Sequence, residues 1–332
     1  MNDNPVEMCF RGKSILITGG LGFLGSALAA PLVAAGAAVT LVDSLIPEYG
    51  GNLFNIADIA DRVTVNIADV RDEHSMRYLV QGRDLIFNLA GQTSHIDSMR
   101  DPYADMEINC RAQLSILEAC RNYNPRVKIV FASTRQIYGR PSYLPVDERH
   151  LLKPTDVNGI NKMAGEWYHI LYNKIYGMRT CALRLTNTYG PRMRIKDARQ
   201  TFLGIWIRNI VQGLPIEVWG GEQLRDFTYT DDAVQAFIVA AADQRADGRV
   251  FNIGGCEVVS LRTVAEMLVR VNGSGEFAIR PFPEDRKAID IGDYYSDFSL
   301  IRETLGWTPT VALAEGLRRT LAYYRQHLAR YL

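Results

Sequence analysis

The sequence predicts an α/β protein built on a doubly wound parallel sheet, and three observations carry that reading. Short, largely apolar runs alternate with helix-length segments through the first half of the chain, the pattern of strands covered by helices on both faces. A glycine-rich turn follows the first apolar run directly, where a strand passes into a helix. Beyond about residue 190 the elements shorten, and turn signals appear at Gly213-Leu214-Pro215, Gly220-Gly221 and Gly254-Gly255.

The first strand is expected over 13–18, a helix from the glycine turn to about Ala35, and a second strand over 38–42. Further strands are expected at 63–67, 85–89, 127–132 and 180–185, with helices over 104–123 and 158–175 between them. Residues 1–185 are therefore expected to form mainly the sheet domain. Residues 186–332 are expected to form mainly a smaller α/β domain, with some chain returning to the first.

Composition narrows the partners. The 332 residues hold 37 basic and 37 acidic side chains, so no electrostatic footprint for a polyanion exists and nucleic acid is excluded as the main partner. Five cysteines without a C-x-x-C pair point to a reducing, cytoplasmic setting rather than a disulfide framework. The five histidines show no ligand spacing, and no metal is expected. Residues 15–42 carry no charge, but Gly19, Gly20, Gly22, Gly25, Pro31 and Gly36 interrupt them, so buried structure is expected and not a membrane span.

The turn reads Thr18-Gly19-Gly20-Leu21-Gly22-Phe23-Leu24-Gly25. Glycines at this junction let the backbone turn tightly and approach a pyrophosphate at a helix N-terminus. Asp43 closes the next strand, about 20 residues on, where a carboxylate accepts from an adenosine ribose and repels a 2′-phosphate. The combination selects NAD over NADP.

Further segments follow in order: Asp69-Val70-Arg71-Asp72, Asn88-Leu89-Ala90-Gly91, Phe131-Ala132-Ser133-Thr134 with Tyr138-Gly139, the run Arg184 to Arg192, the run Arg225 to Asp232, and Leu305-Gly306-Trp307-Thr308-Pro309. With the glycine turn, the chain resembles the extended short-chain dehydrogenase/reductases of the nucleotide-sugar epimerase/dehydratase group. The resemblance implies a Rossmann-like fold with a smaller C-terminal substrate-binding domain. It implies a cofactor site at Gly19, Gly22, Phe23, Leu24, Gly25, Asp43, Asp69, Val70, Leu89, Ala90, Gly91 and Lys162.

That family works with Tyr-x-x-x-Lys on a helix, because residues four apart share one face and the lysine both acidifies the phenol and holds the nicotinamide ribose. The matching segment is Asn158-Gly159-Ile160-Asn161-Lys162, and no tyrosine elsewhere precedes a lysine at that spacing. Asn158 has no proton to titrate near neutrality and cannot serve as a general base. Thr134, Asn158 and Lys162 are the expected catalytic positions, with Lys162, Thr134, His95 and Tyr143 as alternative proton acceptors. The family's 4,6-dehydratases place Asp-Glu after the threonine, where this chain has Arg135-Gln136, so ordinary dehydration is disfavoured.

By the same resemblance His95, Arg135, Arg184, Asn187, Arg192, Arg225 and Arg286 are expected on the substrate side, where guanidinium groups suit a diphosphate. A nucleotide-diphosphate sugar is the implied substrate and a homodimer through helices 104–123 and 158–175 the implied assembly. The leading function is NAD-dependent epimerisation by transient oxidation of a ring carbon. Decarboxylation or an unusual elimination is the alternative within that class; a silent NAD and nucleotide-sugar binding protein is the alternative outside it.

Overall fold

A computed structural model describes residues 5–197, 199, 201–283 and 289–332. The early strands are β1 (Ser14–Thr18), β2 (Ala38–Asp43), β3 (Val63–Ile67), β4 (Leu85–Asn88), β5 (Lys128–Thr134) and β6 (Arg179–Leu185). They are followed by β7 (Asn187–Tyr189), β8 (Ile216–Trp219), β9 (Leu224–Tyr229), β10 (Val250–Asn252), β11 (Val258–Ser260) and β12 (Phe277–Arg280).

Seven strands form one parallel sheet in the order β10-β6-β5-β4-β1-β2-β3. The Rossmann-like doubly wound architecture is thereby observed. Beside it lie a three-stranded sheet, β11-β9-β7, and a parallel pair, β12-β8. Late strand β10 joins the large sheet alongside β6, so chain from beyond residue 186 completes it.

The apolar runs are explained by burial on both faces. Ile15 and Ile17 of β1 enter one core with Leu28, Leu32 and the helix Thr230–Ala242, while Leu16 enters another with Met76, Ile116 and Leu117. The uncharged stretch 15–42 is spent on β1, the helix Phe23–Ala34 and β2. No helix among the described residues is long and apolar enough to cross a membrane. A third core gathers Trp206, Ile207, Val218, Leu268, Leu317 and Tyr324 in the smaller lobe.

Two helices matter for the site. Val157–Tyr176 begins at Asp156, whose side chain accepts from the Gly159 amide at 2.7 Å, and stops at Gly177, left-handed at φ 66°. The single helix expected over 104–123 is instead Pro102–Met106, a π-helical turn Glu107–Arg111, and Ala112–Tyr123. Within that turn Asn109 points inward, donating to the Gln92 carbonyl at 2.9 Å and to Asp105 Oδ2 at 3.0 Å. A widened turn of this kind commonly marks a functional site, and apolar periodicity does not reveal it.

The sheet reverses direction of travel between β1 and β4, which opens a crevice beyond their C-terminal ends. Thr18 ties the two strand ends together: its hydroxyl donates to Asn88 Oδ1 at 2.9 Å and accepts from the Leu89 and Ala90 amides at 3.1 Å.

The C-terminal Leu305–Pro309 segment is anchored by buried Asp232. Its carboxylate accepts from Thr310 N at 3.0 Å, Thr310 Oγ1 at 2.8 Å and Val311 N at 3.0 Å, and its carbonyl accepts from the Trp307 indole at 2.9 Å. Asp232→Ala is expected to lower stability in urea unfolding by about 3 kcal/mol. The same change at the neighbouring exposed Asp231 should stay within about 0.5 kcal/mol.

Candidate active site

One cavity of about 880 Å³ lies over the crevice, lined by the glycine turn, the ends of β2, β4 and β5, the start of helix Val157–Tyr176, and parts of the smaller lobe. Gly19, Gly22, Phe23, Leu24, Gly25, Asp43, Asp69, Val70, Leu89, Ala90, Gly91 and Lys162 all line it.

The glycine turn is built for close approach. Gly19 is left-handed at φ +66°, and a Cβ on Gly25 would lie 2.2 Å from the Gly19 carbonyl oxygen. The helix Phe23–Ala34 starts at Gly22 with no side-chain cap and no acidic residue in its first turn. Its N-terminal amides and positive dipole end therefore face the cavity with no carboxylate to neutralise them, which is how a helix receives an anion.

At the end of β2, Asp43 accepts from Leu21 N at 3.1 Å and Leu45 N at 3.0 Å. Burial pushes its carboxyl above the ordinary value, and the amides of Leu45, Leu21 and Ser44 oppose that rise. Asp69 forms a fork with Arg71, Nη2 to Oδ2 at 2.6 Å, which holds its carboxyl below the ordinary range.

The chemistry-bearing end gathers around Lys162. Its buried Nζ donates to the Ala132 carbonyl at 3.1 Å, and burial pushes it down to about 8 despite the opposing charge of Asp105. A Cβ on Gly91 would lie 2.8 Å from that Nζ and 2.9 Å from Asn109 Oδ1, so a larger residue there would displace both side chains. Thr134 ends β5 and its hydroxyl oxygen accepts from Gln136 N at 3.2 Å.

Asn158 is buried at the cavity wall, and its Nδ2 is engaged. Nδ2 donates to the Gln92 carbonyl at 2.8 Å and to Asp105 Oδ2 at 2.9 Å, while Asn161 Nδ2 donates to Asp105 Oδ1 at 2.8 Å. With Asn109, three asparagine amides converge on one fully buried carboxylate. Asp105 and Gln92 were missed by sequence reasoning, because nothing in the linear pattern links them to residue 158.

The substrate-side residues divide. His95, Arg135, Asn187 and Arg225 line the cavity; Arg184 and Arg192 do not. Arg184 is buried behind β5, with Nη2 to Glu166 Oε1 at 2.6 Å, Nε to Oε2 at 3.0 Å, and Nη1 donating to the Tyr138 hydroxyl. Arg192 lies 3.7 Å from Asp58 and donates weakly to the Ser26 carbonyl at 3.5 Å. The expectation that these two arginines hold a diphosphate in the cavity is therefore corrected. Arg184 sits on a strand buried on both faces, and Arg192, left-handed at φ 74°, reaches Ser26 and Asp58 instead. Arg286 lies outside the described residues.

Arg135 donates to Asn187 Oδ1 at 2.9 Å and stands 5.1 Å from the Tyr294 ring, with no carboxylate paired to it among the described residues. Burial pushes Arg225 down to about 10, and the charge of Arg135 adds to the effect. His95 Nδ1 lies 3.0 Å from Asp156 Oδ2. Tyr143 is exposed, donates to Asp147 Oδ1 at 2.7 Å and does not line the cavity.

The sequence profile of the NAD dependent epimerase/dehydratase family matches residues 15–254. The chain belongs to this family. It is 30% identical to a UDP-glucose 4-epimerase of Mycolicibacterium smegmatis, over 93% of this chain and 98% of that one. It is also 30% identical to a UDP-N-acetyl-alpha-D-glucosaminuronate decarboxylase of Bacillus cytotoxicus, over 95% and 98%. The crystal structure of the Thermotoga maritima UDP-glucose 4-epimerase with UDP-glucose superimposes with a TM-score of 0.87 at 30% identity, covering 95% of this chain and 99% of that one.

Within this epimerase/dehydratase chain, Arg184→Ala is expected to act on stability. It strips the partner from buried Glu166, which costs about 3–5 kcal/mol. Thermal or urea unfolding of the variant checks this; unaltered stability with lost nucleotide-sugar affinity would restore Arg184 to the binding site.

Proposed function

We propose that the protein is an NAD-dependent enzyme acting on a nucleotide-diphosphate sugar, an epimerase that inverts a ring carbon by transient oxidation. The observation that carries the reading is continuity. A single cavity joins the uncapped glycine turn and Asp43 to Thr134 and Lys162, and then to Arg135 and Arg225. Family membership and the likeness to 4-epimerases support it.

The residues present fit the cofactor. The turn Gly19–Gly25 and its helix N-terminus would take the pyrophosphate, Asp43 the adenosine ribose, Asp69 and Val70 the adenine surroundings, and Leu89–Gly91 with Lys162 the nicotinamide ribose. When bound, NAD accepts a hydride from a ring carbon and returns it to the opposite face. The protein's own work is placement: Thr134 orients a ring hydroxyl, Lys162 contributes positive charge, and Arg225 receives a phosphate oxygen. On this reading residues 1–185 serve mainly the cofactor and 186–332 mainly the substrate.

A second reading, decarboxylation of a nucleotide-activated uronate, is favoured by Arg135. Its guanidinium lines the cavity beside Thr134 with no carboxylate at ion-pair distance among the described residues, though Asp226 and Asp290 act on it from further off, and a uronate would supply a direct partner. For assembly, the exposed Ile160, Trp167, Leu171 and Ile175 repeat along the outer face of helix Val157–Tyr176 and fit a second copy. Ile116 and Leu117 are not part of that face, being buried under the sheet.

Purified protein is expected to bind NAD in preference to NADP, and Asp43→Ala to weaken NAD by about 1.5–3 kcal/mol in calorimetry. Mixing the NAD-loaded protein with UDP-glucose, UDP-galactose or UDP-glucuronate should yield the reduced-nicotinamide absorbance and a C4-inverted product. Loss of carbon dioxide from UDP-glucuronate selects the second reading. Tight NAD and UDP-sugar binding without any product selects a silent binding protein.

A further inference from the structure

The oxidation reading leaves one proton without a destination. Asn158 has none to exchange, the Thr134 hydroxyl has no base bonded to it, and Lys162 Nζ is engaged at the Ala132 carbonyl, 3.1 Å away. A ring hydroxyl oxidised in this cavity must still lose its proton to something.

His95 opens the helix His95–Arg100, whose Ser94 cap accepts from Asp97 N at 3.1 Å and fixes the turn that presents the imidazole. The side chain lines the cavity and is 39% exposed, while the Asp156 side chain beside it is 0% exposed. Asp156 is held from behind: Oδ1 accepts from Gly159 N at 2.7 Å, and Oδ2 from Gln136 Nε2 at 2.7 Å. Burial alone would raise its carboxyl, but the His95 contact and these amides outweigh that and bring it below the ordinary value.

The imidazole is oriented by this carboxylate. Nδ1 is shut off from solvent and lies 3.0 Å from Asp156 Oδ2, close but not well aligned as a hydrogen bond. Nε2 has no protein partner among the described residues and is not enclosed, on a side chain that lines the cavity. A sealed carboxylate beside one ring nitrogen favours Nδ1–H there and leaves Nε2 as the unprotonated nitrogen.

We propose that His95 Nε2 is the proton acceptor for the sugar hydroxyl and that Asp156 positions it. This rests on the oxidation reading above. The hydroxyl O–H bond breaks toward Nε2 as the electron pair of the adjacent C–H bond leaves with its hydrogen as hydride to NAD⁺. A ketone, an imidazolium and NADH result, and the reverse step returns both hydrogens. His95 thus occupies the role that the family's tyrosine leaves open here, from a helix on a different wall of the cavity.

The test uses the NAD-loaded protein with UDP-glucose and UDP-glucuronate. His95→Ala is expected to slow NAD reduction by about 100-fold or more while NAD and UDP affinities stay unchanged, and added imidazole should restore part of the rate. His95→Gln keeps a hydrogen-bonding group against Asp156, guards against misfolding, and should lose the same rate. Independently of turnover, diethylpyrocarbonate should modify His95 in the wild-type protein, with UDP-glucose protecting it and UDP alone not, as read by peptide mass spectrometry.

Rates within a few-fold of wild type in both variants would overturn the proposal. So would a slow His95→Ala protein of normal affinity that imidazole does not rescue, since a structural role predicts that result. Wild-type protein that reduces no NAD with either sugar fails the oxidation reading itself, and the proposal falls with it.

Discussion

The carboxylate of Asp105, fully buried and answered by three asparagine amides, is the interaction around which the site is arranged. An unpaired charge at that depth would cost several kcal/mol, so each amide that reaches it is held firmly. Asn109 reaches it because the helix opens into a π turn, Asn161 because it shares the inward face of helix Val157–Tyr176, and Asn158 because its side chain is short. Its charge also supports protonated Lys162 against the burial that pulls the lysine down to about 8. Asn158 Nδ2 is thereby tied to this carboxylate while the residue still lines the cavity that the glycine turn, Asp43 and Lys162 border.

Much of this architecture was legible in the sequence, and the reason is periodicity. β1 reads as Ser-Ile-Leu-Ile-Thr because both faces are covered, and the parallel order follows from such runs alternating with helices. The glycine turn and Asp43 were legible because backbone approach and ribose recognition impose residue types at fixed spacing. The π turn was not, since a single widened turn barely disturbs an apolar pattern. Asp105 and Gln92 were also hidden: their partnership with Asn158 is made by packing of separate segments, which no local spacing records.

The arginines show the same limit more sharply. In the sequence Arg184, Arg192 and Arg225 look alike, each within a family-like signature. In the fold Arg225 and Arg135 stand on the cavity wall, whereas Arg184 closes a buried network with Glu166, Ser133 and Tyr138 behind the strand that ends at Thr134. That network ties Ser133, next to the last residue of β5, to the helix Val157–Tyr176 through Glu166. Asp156 caps the helix start in the fold, and its contact with His95 appears only when the segment 92–98 folds against that start.

The account stands on hydride transfer surviving in a site that has lost its tyrosine. The most direct measurement follows deuterium: UDP-glucose labelled at C4 is incubated with the NAD-loaded protein, and the epimerised product is examined by mass spectrometry and NMR. Transient oxidation predicts that deuterium returns to C4 of the inverted sugar and that none enters from heavy water when unlabelled sugar is used. Label lost to solvent, or solvent deuterium found at the inverted carbon, would show deprotonation at carbon and contradict the account.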